Sequence, residues 1–338
     1  MYKTKIICTI GPASDSASVL RKMMLFGMDI ARLNFSHADL SKHKERIDLI
    51  RTLNKKYRRR IRILQDLEGY RIRIGRFKGV KEMFLRKRQT LVLSNRDIPG
   101  YNNLVPFDYR GELTDIKSGV LIYIDDGNIC LLVKKSTRNY IRTEVLIGGI
   151  LKERKGINMP DMRLKFKGLT DKDALDIQFG IRHKVEYIAQ SFVRDEHDIL
   201  PIKKLVEPYL PDCKIIAKIE NRQGIKNIER ILTACDGIMI ARGDMGVSIP
   251  LYEIPIVQKQ IIRKCNKAKK LVITATQMLE SMVENLRPTR AEVTDIANAV
   301  LDGSNCVMLS AETAIGKYPA QAVDMMNKII GFTETHNR

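Results

Sequence analysis

Residues 215–246 of the chain read IIAKIENRQGIKNIERILTACDGIMIARGDMG. Two short apolar runs, 215–219 and 237–241, flank the amphipathic segment 224–234. Continuous apolar runs rich in Ile are typical of strands that are buried on both faces of a parallel sheet. Charged residues nevertheless occur within the first run and directly after both. The stretch therefore predicts a β/α/β unit with polar side chains at the carboxyl ends of its strands.

The same alternation extends along the chain in both directions. Strands are predicted at 5–10, 30–35, 61–67, 187–192, 215–219, 237–241, 271–276 and 306–310, and helices at 17–26, 41–57, 172–180, 195–209, 224–234, 252–268, 290–301 and 319–332. Eight β/α units close a (β/α)8 TIM barrel, whose active site lies on the loops that follow the strands. We therefore predict an α/β protein with this barrel, and an open, doubly wound sheet is the alternative.

One region interrupts the alternation. Between 74 and 158 there is no helical pattern, and β-rich runs occur instead at 90–93, 120–124, 129–133 and 141–146. Turn sequences separate these runs, and the Asp126-Gly127 pair is a good hairpin signal. We predict a small all-β domain at 74–158, inserted after the third barrel strand. It would form a lid on a barrel made of 1–73 and 159–338.

The composition is that of a folded, basic protein. Hydrophobic residues make up 44% of the 338 residues and charged residues 29%, which excludes a disordered chain. The formal net charge of +20 is compatible with nucleic acid, an acidic surface or small phosphorylated ligands. Part of this charge lies in 42–62, which we interpret as the solvated face of a helix, with a polyanion contact as the alternative.

Several classes of protein and site are excluded by what the sequence lacks. No apolar run reaches about 18 residues, so no transmembrane helix is predicted, and the N-terminal residues do not form a signal peptide. The 6 cysteines form no CxxC pair, and the 5 histidines show no HExxH spacing. We therefore expect reduced thiols in a cytoplasmic protein that has no zinc site.

Charged side chains at the ends of the predicted strands indicate a catalytic site. Lys218 and Glu220 are two residues apart on one strand, so both point to the same face. Burying an ammonium group is costly unless it is paired, and a purely structural barrel has no need of Lys218 there. Glu220 and Asp244, on neighbouring strands, are suited to share one divalent cation, in the usual arrangement for Mg²⁺. Satisfied ion pairs are the structural alternative for each of these residues.

Three further groups suit an anionic substrate. Arg32 supplies a fixed positive charge for a phosphate. The turn at 243–246 leads into a short helix, whose free N–H groups can bind a carboxylate. Thr276 supplies a hydroxyl that can pass a proton. Together these groups predict phosphoryl transfer or enolate chemistry on an anion that carries both phosphate and carboxylate.

An ordered series of motifs resembles the pyruvate kinase family. The motifs are TKIICTIGPAS at 4–14, ARLNFSH at 31–37, IDDG at 124–127, KGINMP at 155–160, LTDKD at 169–173, SFVR at 191–194, IAKIENR at 216–222, MIARGDMGV at 239–247, ATQMLESM at 275–282 and PTRAEV at 288–293. They cover the barrel and the inserted lid domain of that family. The resemblance implies the glycolytic transfer of a phosphoryl group from phosphoenolpyruvate to ADP, with Mg²⁺ or Mn²⁺ as cofactor.

The resemblance also implies roles for individual residues. Lys218 would neutralise the phosphoryl group and the enolate oxygen, Arg32 would hold the phosphoryl group, and Thr276 would lie near the enolate carbon. Further expected contacts are Ser191, Gly243 and Asp244 to the substrate, Arg73, His37, Lys155 and Asn34 to the nucleotide, Glu220 and Asp244 to Mg²⁺, and Asn34, Ser36, Asp66 and Leu67 to a monovalent cation. Asp125 of the lid would lie beside the active site.

Departures from the family pattern modify these expectations. Most members have Gly-Pro followed by Glu or Lys where this chain has Gly69-Tyr70-Arg71. A Glu there accompanies K⁺ dependence and a Lys accompanies K⁺ independence, since a fixed cation can replace the ion. We therefore expect Arg71 to make the activity independent of K⁺. Ser248 stands where the family usually has a Glu, which removes one supporting acid.

The expected partners are phosphoenolpyruvate and ADP, and neither a membrane nor nucleic acid is expected. The family usually has a further C-terminal domain with a sugar-phosphate effector site and a subunit interface, whereas this chain stops at Arg338. We therefore expect no activation by sugar phosphates. Exposed apolar surface would lead either to a homo-oligomer or to contact with a separate partner.

Two other functions compete with the kinase. One is a catalytically retired barrel that binds RNA or another polyanion through its basic stretch. The retained lysine, arginine, threonine and metal carboxylates argue against it. The other is an enolpyruvate-handling barrel without kinase activity, against which the intact lid and Lys155 argue.

Overall fold

The chain is built from two compact units. A computed structural model describes residues 3–96, 98–160, 162 and 168–336. The first unit comprises Met1–Gly69, Gly168–Met245 and Tyr252–Arg338, and the second comprises Tyr70–Lys167 with Gly246–Leu251. The insertion predicted from sequence, 74–158, falls inside the range of the second unit.

The strands and helices have the following bounds. The strands are β1 (Lys5–Thr9), β2 (Met28–Asn34), β3 (Arg62–Asp66), β4 (Ile72–Arg73), β5 (Glu82–Leu85), β6 (Thr90–Ser94), β7 (Leu104–Pro106), β8 (Leu121–Ile124), β9 (Ile129–Ser136), β10 (Ile141–Ile147), β11 (Gly149–Lys152), β12 (Gly156–Asn158), β13 (Tyr187–Gln190), β14 (Lys214–Ile219), β15 (Gly237–Ala241), β16 (Leu271–Ala275) and β17 (Cys306–Leu309). The helices are α1 (Ala17–Phe26), α2 (Leu40–Tyr57), α3 (Asp171–Arg182), α4 (Leu200–Val206), α5 (Arg222–Lys226), α6 (Ile228–Ala234), α7 (Arg242–Ser248), α8 (Ile254–Lys267), α9 (Arg290–Leu301), α10 (Ala311–Ala314) and α11 (Pro319–His336).

Parallel strands of the first unit close into a barrel, in the order β1-β17-β16-β15-β14-β13-β3-β2. The (β/α)8 prediction is therefore confirmed, and the open sheet is excluded. Ile7, Leu64, Ile216, Met239 and Ile273 from five of these strands pack together in the core and are fully buried. Because the strands are covered on both faces, their sequences are continuously apolar rather than alternating.

The second unit is made of strands in its described part, apart from a 3-10 turn at Leu113–Asp115 and the segment 246–251. One sheet has the order β4-β12-β8-β9-β10-β6-β7, and β11 pairs with β5. The hairpin between β8 and β9 turns through Asp125, Asp126 and Gly127, with φ of 55°, 54° and 91°. Left-handed φ values favour Asp, Asn and Gly, which explains the hairpin signal in the sequence.

Two helices differ from their predicted form. The segment 195–209 was predicted as one helix, but it forms a 3-10 turn at Glu196–Asp198 and then α4. Pro201 lies in the first turn of α4, where a missing N–H costs nothing, and Pro208 follows its end. The segment 224–234 is divided into α5 and α6, and α5 begins earlier because the Asn221 side chain accepts a hydrogen bond from the Gly224 N–H.

The basic stretch 42–62 lies mostly on α2 and is partly neutralised. Lys44 pairs with Asp48 on the same helix, and Arg51 pairs with Glu186, both at 2.7 Å. The side chains of 58–60 are exposed. The solvated-face interpretation of this stretch stays a prediction.

In the described ranges, no helix combines the length and apolar character needed to cross a membrane. All six cysteines are buried and none is in a disulfide. Burial raises the pKa of the Cys213, Cys265 and Cys306 thiols to about 12. The thiols are therefore protonated and unreactive at neutral pH.

His43 ties α2 to the loop after β2. Its ring is 1% exposed and stacks on Phe35, with 4.1 Å between ring centroids. Its Nε2 lies 2.9 Å from the carbonyl oxygen of His37, which fits a neutral ring that donates from Nε2. Burial is the main cause that lowers the pKa of His43 to about 4; the positive charges of Arg46 and Lys172 act in the same direction, and the hydrogen bond to His37 opposes them.

The depressed pKa makes the free energy of unfolding depend on pH. The unfolded chain binds a proton at His43 near pH 6.5 while the folded chain does not, so stability falls as pH drops from 6.5 towards 4. The His43→Gln variant keeps a donor but cannot titrate. We expect its free energy of unfolding to fall by about 1–2 kcal/mol less than that of wild type between pH 7 and pH 5. Urea unfolding at both pH values measures this difference, and equal losses in the two proteins would contradict it.

Candidate active site

One buried carboxylate joins two cations at the carboxyl ends of the barrel strands. Oδ2 of Asp66, the last residue of β3, lies 2.7 Å from Nε of Arg32 on β2. Oδ1 of Asp66 lies 3.1 Å from Nζ of Lys218 on β14. The exposed fractions are 1% for Asp66, 9% for Arg32 and 8% for Lys218. This arrangement fixes two positive charges around one negative charge where water is largely excluded.

The ionised forms of these groups stabilise one another. Burial alone would raise the pKa of Asp66, but the positive charges of Lys218 and Arg32 outweigh burial and lower it. Burial would likewise lower the pKa of Lys218, but the negative charges of Asp66 and Glu220 outweigh burial and raise it. Lys218 therefore stays protonated at neutral pH.

Glu220 is the one member of this cluster whose charge is poorly balanced. It follows β14, is 1% exposed, and its Oε1 lies 3.2 Å from Nζ of Lys218. Its Oε2 accepts a hydrogen bond of 2.5 Å from the N–H of Phe192. Burial raises the pKa of Glu220, and the negative charge of Asp244 raises it further although Lys218 opposes the change. An additional positive charge near Glu220 would relieve this imbalance.

The two predicted metal ligands have the chemistry that a divalent cation requires. Oε1 of Glu220 is buried and accepts no hydrogen bond from any described residue. Asp244, in the first turn of α7, is close enough for its charge to act on Glu220. Two carboxylates with an unmatched oxygen suit Mg²⁺, which normally keeps water or substrate oxygens as its other ligands. Within the described ranges, no group of three His, Cys, Asp or Glu residues could hold a metal by itself.

Thr276 has a backbone conformation that is rare for a β-branched residue. It follows β16 with φ of 70°. Its Oγ1 accepts a hydrogen bond of 2.8 Å from the N–H of Gly243 and donates one of 2.6 Å to the carbonyl oxygen of Ala275. The structure thus brings Thr276 and Gly243 together. The Gly243 N–H, expected to bind the substrate carboxylate, has the Thr276 hydroxyl as its partner here.

Arg242 holds this conformation in place and was not singled out from the sequence. Its Nη2 donates to the carbonyl oxygen of Thr276 at 2.6 Å and to that of Gln277 at 3.2 Å. Its Nη1 forms an ion pair of 2.6 Å with Asp295 on α9. Carbonyl groups in a left-handed turn cannot be satisfied by the sheet, and Arg242 supplies their donors. An arginine directly before Gly243-Asp244 was visible in the sequence, but its partners were not.

Ser191 supports Lys218. Its Oγ accepts a hydrogen bond of 2.6 Å from Nζ of Lys218 and donates one of 2.8 Å to the carbonyl oxygen of Leu67. The hydroxyl proton is therefore committed to Leu67. The sequence predicted Ser191 as a substrate ligand, and in the structure its nearest polar partner is Lys218.

The remaining barrel residues predicted for the site lie at the ends of β2 and β3. Asn34 is the partner of Asp66 in the register of these strands. Oδ1 of Asn34 accepts a hydrogen bond of 3.1 Å from the N–H of Ser36, and the carbonyl oxygen of Asn34 accepts one from the N–H of His37. The residues expected to bind a monovalent cation therefore lie close to one another, and one of them, Asp66, also forms the ion pair with Arg32.

The second unit holds four of the predicted residues on its strands or directly beside them. Nζ of Lys155 lies 2.7 Å from Oδ1 of Asp125, and Nη2 of Arg71 lies 3.1 Å from Oδ1 of Asp126. Arg73 on β4 is the partner of Gly156 on β12, next to Lys155. The expected nucleotide ligands Arg73 and Lys155 are thus close together on this unit.

Comparison with known proteins shows which family the chain resembles. A sequence model of the pyruvate kinase barrel domain matches residues 1–323. The chain is 47% identical over 335 residues to a pyruvate kinase of Thermococcus litoralis. The matched region covers 99% of this chain and 70% of that protein. The chain is 47% identical over 331 residues to a pyruvate kinase of Staphylococcus epidermidis and 46% identical over 332 residues to one of Staphylococcus aureus. Each of these two matches covers 97% of this chain and 56% of the relative, so the chain spans little more than half of their length.

The family match covers residues of both units, and the closed barrel that the family predicts is present in the structure. The chain belongs to the pyruvate kinase family.

Proposed function

We propose that this chain transfers the phosphoryl group of phosphoenolpyruvate to ADP, with Mg²⁺ or Mn²⁺ as cofactor, giving pyruvate and ATP. The observation that supports it best is the buried arrangement in which Asp66 joins Arg32 and Lys218. Phosphoryl transfer depends on positioning and on charges fixed before the reaction. Two cations that Asp66 fixes in place, beside the only partly balanced charge of Glu220, meet both needs.

Lys218 and Arg32 would act on the charge that moves during transfer. As the bond between phosphorus and the enol oxygen breaks, a new bond forms to an ADP oxygen and negative charge develops on the enolate oxygen. Lys218, which stays protonated, would stabilise that oxygen. Arg32 would hold the phosphoryl oxygens through N–H groups that its protein partners leave available.

Ketonisation of the enolate completes the reaction. The enolate carbon takes one proton to become the methyl group of pyruvate. Thr276 would deliver this proton through water after its hydroxyl leaves the carbonyl oxygen of Ala275. The backbone N–H groups of Gly243 and Asp244 would receive the substrate carboxylate, which would replace the Thr276 hydroxyl as the partner of Gly243. A divalent cation held by Glu220 and Asp244 would, when bound, neutralise phosphoryl and carboxylate oxygens of the substrate.

Arg73 and Lys155 of the second unit would contact the phosphates of the nucleotide. His37 and Asn34 are further proposed nucleotide ligands. The pairing of Lys155 with Asp125 fixes its ammonium group before the nucleotide binds. We also propose a cytoplasmic location, which the unpaired cysteines support. Self-association stays a prediction from sequence.

A retired, polyanion-binding barrel remains the weaker alternative. A protein without catalysis gains nothing from burying an ammonium group between two carboxylates, since apolar residues of similar volume are often as stable. The intact cluster around Lys218 therefore favours the enzyme.

Removing the ammonium group of Lys218 tests the proposed reaction. We expect Lys218→Met to lower kcat by on the order of 10³-fold, because no other group would balance the enolate charge. Pyruvate formation from phosphoenolpyruvate, ADP and Mg²⁺, coupled to lactate dehydrogenase, measures it.

Lys214→Met is a matched control, because Lys214 is exposed at the start of the same strand. We expect it to keep the wild-type rate. Well-folded wild type that makes no pyruvate would refute the reaction, and full activity in Lys218→Met would refute the role of the lysine.

Arg71 gives a prediction about monovalent cations. We propose that its guanidinium takes the place of K⁺, so that rates in sodium, potassium and bulky organic-cation buffers agree within about twofold. Arg71→Glu, which reverses the charge, is expected to make the rate depend on K⁺. Strong activation of the wild type by K⁺ would rule this role out.

A further inference from the structure

Thr9 is a buried residue at the carboxyl end of β1, directly beside Arg32. The two residues are partners in the register of β1 and β2. Nη1 of Arg32 donates a hydrogen bond of 2.8 Å to Oγ1 of Thr9, which is 5% exposed. Sequence reasoning assigned no role to Thr9, although it lies in the motif at 4–14.

The direction of each hydrogen bond at Thr9 follows from its partners. A guanidinium has donors only, so Oγ1 of Thr9 must accept from Arg32. The single hydroxyl proton is then available to Leu309 on β17, whose carbonyl oxygen lies 2.9 Å away. Thr9 therefore presents a lone pair to Arg32 in a fixed direction. Ser191 presents one to Lys218 in the same way.

Two contacts are needed to orient a planar guanidinium. Asp66 binds Nε of Arg32, and Thr9 binds Nη1. With the Asp66 contact alone, rotation about the side-chain bonds would swing both Nη atoms while Nε kept its partner. With both contacts the plane is fixed, and the second N–H of Nη1 and both of Nη2 are left for an anion.

We propose that Thr9 is a positioning residue that aims Arg32 at the phosphoryl group of the substrate. This inference rests on the proposed function, since it concerns the phosphate held in that reaction. Thr9 does not touch the reacting atoms. Its effect is on how well the phosphoryl group is bound before transfer, because an oriented guanidinium loses less freedom when it binds.

Replacing the hydroxyl tests the proposal. Thr9→Val keeps the shape of the side chain but removes the acceptor, and we expect the KM for phosphoenolpyruvate to rise about tenfold while the KM for ADP changes less than about twofold. Thr9→Ser restores the acceptor and is expected to return the KM to within about threefold of wild type. Unchanged KM for phosphoenolpyruvate in Thr9→Val, or no rescue by Ser, would overturn it.

Thr313→Val separates positioning from stability. The hydroxyl of Thr313 is buried and donates a hydrogen bond of 2.9 Å to the carbonyl oxygen of Thr9, whereas the side-chain hydrogen bonds of Arg32 go to Asp66 and Thr9. We expect this variant to unfold at a lower urea concentration, as Thr9→Val does, but to keep the wild-type KM for phosphoenolpyruvate. An equal rise in KM in both variants would show that Thr9 acts only through stability.

Calorimetric titration with phosphoenolpyruvate and Mg²⁺, without ADP, distinguishes failure of this inference from failure of the proposed reaction. If wild type binds the ligand but makes no pyruvate, the reaction is refuted while a tenfold weaker Kd in Thr9→Val still supports the positioning role. Equal Kd values in both proteins would refute the role whatever the activity. Wild type that does not bind the ligand would refute both.

Discussion

The carboxylate of Asp66 is the interaction on which the arrangement of this site depends. It binds Arg32 with one oxygen and Lys218 with the other, and all three side chains are almost completely buried. Without it, two cations would repel each other where little water is present to screen them. With it, the two cations are held at fixed positions. Because Glu220 also lies 3.2 Å from Lys218, a divalent cation at Glu220 and Asp244 would supply the further positive charge that an entering anion needs.

The closed barrel makes that arrangement possible. Asp66 ends β3, Arg32 lies on β2 and Lys218 on β14, and all these strands have their carboxyl ends at the same side of the barrel. Each cation also receives a hydroxyl acceptor, Thr9 for Arg32 and Ser191 for Lys218. Each hydroxyl donates a hydrogen bond to a backbone carbonyl oxygen, so the backbone fixes the direction in which each hydroxyl accepts from its cation.

The barrel could be predicted because its strands and helices leave a strong pattern in the sequence. Continuous apolar runs followed by helices occur in all eight units, and the strand-end residues Lys218 and Glu220 stood out as charges in an apolar run. The position of Asp66 between Arg32 and Lys218 was not predicted, because the resemblance assigned Asp66 only to a monovalent-cation pocket. Hydrogen bonds between residues distant in sequence, as at Thr9 and Arg242, depend on strand register and loop conformation, and no local pattern records them.

The rate of pyruvate formation by Asp66→Asn tests the central role of this carboxylate most directly. Asparagine has nearly the same shape but no charge, so Arg32 and Lys218 would lose the group that holds them together. We expect kcat/KM for phosphoenolpyruvate to fall by on the order of 10²-fold or more in a protein that still shows the circular dichroism spectrum of wild type. A folded Asp66→Asn variant with the kcat/KM of wild type would contradict the account.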